Sequence, residues 1–175
     1  MSIDEIFEDG KSIRIKVIRP VWETLEIDVR VADQLGPDCR VTTSGEVFSL
    51  FSFMGKETKE FFLALHLDSK NRLLCLDHVS VGSLNASVVH PREVFKSCLL
   101  SSAAAVILLH NHPSGDPTPS REDLELTGRL REAGELLGIR VLDHVVVGSG
   151  SYVSLAERGF AGVGLGPCFR RRNRL

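Results

Sequence analysis

His110 and His112 stand one residue apart where the apolar run Ala103–Leu109 ends. Residues two apart on a strand share a face, and two imidazoles on one face can hold a single metal ion at about 2.0–2.1 Å from each nitrogen. A strand that simply ends on two polar residues would read the same way. Past a loop from Pro113 to Pro119, Ser120 and Asp123 have the spacing of a helix capping box. Three prolines and Gly115 stiffen that loop, which lowers the entropy cost of holding a ligand on it. Capping alone would account for Ser-x-x-Asp. If the loop returns the helix start to the strand end, Asp123 adds an oxygen donor. Two His and one Asp, with a fourth position left to water, is the layout of a catalytic rather than a structural zinc site.

Those side chains need elements to position them. Ile13, Ile15 and Val17, alternating with Arg14, Lys16 and Ile18, predict an early strand. "SGEVFSLFSFMG" places Val47, Leu50 and Phe51 at helical spacing, with Gly55 as a stop. "KEFFLALHLDSKNRLLCLDHVSVGS" reads as a hairpin that turns at Asp68-Ser69-Lys70-Asn71. "HPREVFKSCLLSSA" predicts a helix entered through Pro91, leading into the strand "AAAVILLH". "SREDLELTGRLREAGELLG" carries an apolar stripe of Leu124, Leu126, Leu130, Leu136 and Leu137 and closes on Gly138. "IRVLDHVVVG" follows as a strand and "SYVSLAERGF" as a last strand and turn. The alternation predicts an α/β (mixed α+β) fold, a mixed sheet flanked by helices. We expect residues 46–160 to form the domain and 1–45 to be a strand-containing extension of unassigned role. Residues 161–175, with Arg170, Arg171, Arg172 and Arg174, read as a basic, disordered tail.

The chain has 175 residues, 43% apolar and 25% charged, which suits one soluble domain with a real core. A net charge of -2 argues against an overall grip on nucleic acid, which needs an excess of Lys and Arg on some face. Cys39, Cys75, Cys98 and Cys168 form no C-x-x-C pair, so neither a zinc ribbon nor a redox motif is expected. The N-terminal stretch lacks the pattern of a secretion signal, and the thiols are expected to be buried and reduced in a cytoplasmic protein. The longest apolar run is too short to cross a bilayer.

His110-Asn111-His112, seven residues, then Ser120 to Asp123 match H-x-H-x(7)-S-x-x-D. In this the chain resembles the JAB/MPN metalloenzymes, also called JAMM. "HNHPSGDPTPS", "VHPREVF", "LGIRVLDHVVVG" and "YVSLAERG" more narrowly resemble the RadC-like branch, over about Glu46 to Phe160. The resemblance implies a cytidine-deaminase-like mixed sheet flanked by helices. It also implies Zn2+ held by His110, His112 and Asp123, and a Ser120 hydroxyl that helps to steady an oxyanion. It implies an upstream glutamate as general base, a position best matched by Glu60, with Asp77 and Glu93 as the other candidates. Chemistry makes the same demand, because activated water must lose a proton to a nearby carboxylate. His144, after Asp143 in an apolar strand, would support the site from behind or be a satisfied core histidine. Arg92 would face a substrate carboxylate or phosphate or pair locally. His66 and His78, on the hairpin arms, are assigned no chemistry.

The leading expectation is a zinc-dependent hydrolase of amide bonds, a metallopeptidase or isopeptidase with a peptide or protein substrate. A second is a DNA-repair-associated factor, the historical description of RadC-like proteins. Longer relatives carry a helix-hairpin-helix region before the JAB domain, and residues 1–45 show no pair of helices around a Gly-rich hairpin, so direct nucleic-acid binding is not expected. A third is a binding module that kept the fold and lost the metal, against which the intact His110, His112, Ser120 and Asp123 set argues.

Overall fold

A computed structural model describes residues 38–82 and 89–160. Helix α1 (Ser44–Phe51) runs on as a 3-10 turn (Ser52–Lys56) and is followed by strands β1 (Glu60–Leu67) and β2 (Leu73–Gly82). Then come α2 (Pro91–Leu100), β3 (Ala105–Asn111), α3 (Arg121–Leu137), β4 (Arg140–Val147) and β5 (Tyr152–Ser154). The five strands form one sheet in the order β2-β1-β3-β4-β5. All neighbours are antiparallel except β3 and β4. Parallel neighbours need a crossover, and α3 is that crossover. The C-terminal end of β3 and the N-terminal end of α3 therefore meet on one side of the sheet, where ligands of parallel strands are usually bound. The sheet is mixed and flanked by three helices, as the alternation of elements predicts.

Alternation along β3 sorts its residues between two cores. Ile107 and Leu109 pack with Val47, Leu50 and Phe51 of α1. Val106 and Leu108 pack with Val94, Phe95 and Cys98 of α2 and with Leu126 and Leu130 of α3. Every residue of β3 is buried, as expected of a central strand covered on both faces. By the same period of two, His110 continues the row of Val106 and Leu108 and points towards α3.

Three local expectations are corrected. Helix α1 gives way to the 3-10 turn after Phe51, before Gly55. The bare backbone of Gly55 instead accommodates Gly148, whose carbonyl oxygen would lie 2.1 Å from a Cβ placed there. The apolar stripe of α3 includes two residues that face out, since Leu136 is 89% and Leu137 44% exposed. The buried line is Asp123, Leu126, Thr127, Leu130 and Gly134, and at about 100° per residue Leu136 falls on the opposite side from Gly134. Among the described residues only Cys98 is a buried thiol, while Cys39 is exposed and Cys75, on edge strand β2, is half-buried. Cys168, the strand expected over Ile13–Val17 and the basic tail lie outside the described residues. Among the described residues no helix is long and apolar enough to cross a membrane.

Asp143 ties β4 to the chain that follows it. Its buried carboxylate accepts hydrogen bonds from the His144 N–H (2.7 Å), the Ala156 N–H (3.0 Å) and the Ser154 hydroxyl (2.7 Å). Burial pushes the carboxyl up to about 6, against the pull of those three bonds. A folded-state value above the unfolded one means that the contribution to stability is complete below the unfolded value near 3.8 and is lost as pH rises through about 6. The difference is worth about 3 kcal/mol. Asp143→Asn keeps the shape and an acceptor without the charge. Its stability relative to the parent, read by urea unfolding of metal-free protein, should improve by up to about 3 kcal/mol from pH 4 to pH 7. A difference that stays flat over this window would show that Asp143 does not titrate there.

Candidate metal centre

The loop between β3 and α3 is held to the sheet at several points. The His112 N–H donates to the Val147 carbonyl (3.0 Å), the Gly115 N–H to the His112 carbonyl (2.9 Å) and the Ser149 N–H to the Gly115 carbonyl (2.8 Å). Gly115 has φ +81°, a conformation that disfavours other residues. Gly148 lies directly beneath, and a Cβ there would meet the Gly115 carbonyl at 2.4 Å and Pro117 Cδ at 2.6 Å. The loop thus delivers Ser120 to the start of α3 as a full capping box. The Ser120 hydroxyl accepts from the Asp123 N–H (3.1 Å), while Asp123 Oδ2 accepts from the Ser120 N–H (2.7 Å) and hydroxyl (2.7 Å). A carboxylate in the first turn is also favoured by the helix dipole.

Four side chains converge. His110 Nε2 and His112 Nε2 are 3.0 Å apart. Asp123 Oδ1 is 3.3 Å from the first and Oδ2 is 3.4 Å from the second. A carboxylate oxygen of Glu60 and one nitrogen from each histidine all lie within 4.8 Å of one another. His110 and Asp123 are buried, whereas Glu60 and His112 are half-buried, so the cluster is open on one side. The two rings share a side but are tilted by 59° rather than parallel. His112 lies just past the last residue of β3 and escapes the pleat.

Hydrogen bonds behind the rings determine which nitrogen carries the proton. Thr127 donates its hydroxyl to the Asp123 carbonyl (2.6 Å) and so can only accept from His144 Nδ1 (2.6 Å). His144 Nε2 then accepts from His110 Nδ1 (2.8 Å), leaving a lone pair on His110 Nε2. His112 Nδ1 faces the Asp116 carbonyl at 2.8 Å and must donate to it, so its lone pair is also on Nε2. Two lone pairs and a buried carboxylate aimed at one point form a donor set for a divalent cation. The residues present fit such an ion.

Electrostatics agree. Burial pushes the Asp123 carboxyl up, but His110, His112 and Ser120 outweigh it and hold the group well below the usual carboxylate range. Asp123 in turn raises the His112 imidazole, against burial. The point between them demands positive charge. Burial keeps His144 well below its ordinary value and hence neutral, as its place between His110 and Thr127 requires.

The expected residues are not all placed here. Glu60, as the first residue of β1, reaches the histidines. Ser120 lies beside Asp123 with its hydroxyl engaged as the cap. His144 is bonded directly behind His110. Arg92 is exposed at the start of α2 and pairs with Glu93 (3.3 Å), not with any side chain of the cluster. Of the other base candidates, Glu93 pairs with Arg92 and Lys96, and Asp77 accepts from Ser97 and sits opposite Ala64, well down the hairpin. His66 is buried against Ser101 and Cys75, and His78 packs on the Phe61 ring. Sequence reasoning missed Thr127, Asn111 and the Asp116 carbonyl. Thr127 had one signal, its place one helical turn after Asp123; a backbone carbonyl leaves none.

If His144 fixes the His110 tautomer, His144→Gln should weaken metal binding roughly 10–100-fold, measured by competition with a chelating dye. Affinity equal to that of the parent would show that His110 needs no support from behind.

Comparison with known proteins identifies the family of the fold. The family of RadC-like JAB domains matches residues 41–160. The UPF0758 protein of Geotalea uraniireducens (strain Rf4) is 57% identical over 121 residues, 69% of this chain and 53% of that protein. The UPF0758 protein of Methanosarcina mazei is 54% identical over 125 residues, 71% of this chain and 55% of its own length. The chain spans about half the length of these relatives. A match over most of the chain, together with these identities, means that the protein belongs to the RadC-like JAB domains of the JAB/MPN family.

Proposed function

We propose that this chain is a zinc-dependent hydrolase of amide bonds, a metallopeptidase or isopeptidase acting on a peptide or protein substrate. The observation that carries the reading is the convergence of two imidazoles, each with its lone pair on Nε2, on the buried Asp123 carboxylate, with Glu60 at the open side. Two nitrogen donors and one oxygen donor suit zinc. A zinc ion held by His110, His112 and Asp123 supplies Lewis-acid activation of water and of the scissile carbonyl.

The chain's own residues do the rest. Asp123 remains ionised, because His110, His112 and Ser120 hold its carboxyl low. His144 and Thr127 keep the His110 lone pair directed at the ion. Glu60 takes the proton of the attacking water and returns it to the departing nitrogen. Ser120 exchanges its hydrogen bond with Asp123 for one to the developing oxyanion.

Metal analysis of the full chain, purified without a histidine tag, should find about one zinc per chain, removable by a chelator. A peptide-library digest should show cleavage that stops on chelation. Glu60→Gln should retain the zinc and lose on the order of 10²–10⁴ in rate. Protein without zinc under non-chelating conditions would rule out the hydrolase, and full activity in Glu60→Gln would remove Glu60 from the proton transfer.

A further inference from the structure

Asn111 lies between the two histidines, and its side chain is completely buried. Both ends of its amide are used. Oδ1 accepts from the Phe61 N–H at 2.9 Å, and Nδ2 donates to the Lys59 carbonyl at 3.0 Å. The two partners differ in kind, one a donor and one an acceptor, which determines the orientation of the amide. They are also the residues on either side of Glu60. One side chain therefore grips the backbone before and after the carboxylate that faces the histidines.

The register explains why a side chain is needed. The ladder between β1 and β3 ends at the pair Phe62–His110. On the other side of β1, Glu60 and Phe61 remain paired with Gly82 and Val81 of β2. Beyond Phe62, the Asn111 amide replaces the main-chain ladder on the β3 side. The distance from Glu60 to the histidines is then a property of a bridge that starts on the residue joining His110 to His112. An anchor for a strand end need not span a single residue symmetrically, whereas a clamp on Glu60 must.

We propose that Asn111 is a positioning residue that holds Glu60 in place against the His110–His112 pair. The proposal rests on the reading of Glu60 as the proton carrier and deepens it. Without the clamp, the Lys59 carbonyl and Phe61 N–H lose their partners and Glu60 is no longer fixed relative to the ion.

The test uses the full chain loaded with Co(II), whose visible absorption bands respond to protonation beside the ion. Their pH midpoint is measured in the parent, Glu60→Gln, Asn111→Ala and the double variant, with metal affinity measured in parallel by chelator competition. Glu60→Gln should move the midpoint. Asn111→Ala should move it in the same direction by at least half as much, and the double variant no further than Glu60→Gln alone, with affinities within about threefold of the parent, a shift below about 0.65 kcal/mol. Where Asn111→Ala does not fold, Asn111→Asp serves in its place, since it keeps the acceptor for Phe61 and loses the donor to Lys59. An unmoved midpoint in the Asn111 variant beside a moved one in Glu60→Gln would overturn the proposal alone, and so would additive shifts in the double variant. An unmoved midpoint in Glu60→Gln would overturn the base reading and this proposal with it.

Discussion

The buried carboxylate of Asp123 is the charge on which the rest of the site depends. Taking an ionised carboxylate out of water costs several kcal/mol unless it is paired and hydrogen-bonded. Here the cost is offset from two directions. The N-terminus of α3 and the Ser120 N–H and hydroxyl satisfy Oδ2, while the two imidazoles face the group from the strand side. One residue thereby closes the helix and faces both imidazoles. The capping reading of Ser-x-x-Asp is seen directly in its hydrogen bonds, and the same carboxylate is the one that meets the histidines.

That arrangement is possible because β3 and β4 are parallel. The crossover through α3 obliges the chain to leave β3 and re-enter α3 on the same edge of the sheet, and the proline loop makes the turn within a short stretch. Gly148 allows it, since any side chain there would collide with Gly115 and Pro117. The same glycine packs against Gly55, so the end of the 3-10 turn that precedes β1 rests on the strand end that supports the loop. The turn that leads into β1 and the loop that follows His112 thus share one support, Gly148.

The cluster is a set of linked hydrogen bonds rather than four independent side chains. From His110 the links run through His144 and Thr127 to the Asp123 carbonyl, and so return to the helix that carries the carboxylate. Such closed networks are strong when every member is satisfied and costly when one is missing. Asn111 extends the network to the far side, from the histidine pair to the backbone around Glu60. The backbone around Glu60 and the strand end that carries the histidines are in this way joined by one side chain.

Much of this was legible before folding, for definite reasons. Apolar periodicity marked β1, β3, α3 and β4, because burial imposes a period on any chain that forms those elements. His110, His112, Ser120 and Asp123 were legible because short-range spacing determines which residues share a strand face or a helix cap. Gly55 does not mark the end of α1, because its bare backbone answers to the close approach of Gly148, far away in sequence. The outward turn of Leu136 was misread because a stripe of leucines does not reveal which part of it meets the sheet. The sequence alone determined which side chains come together and the elements that carry them, since both follow from local chemistry and local period. Only the tertiary structure decided which nitrogen of each ring keeps its lone pair, what bonds to the backbone on either side of Glu60, and that Arg92 stands apart, because each depends on a partner brought close by the fold.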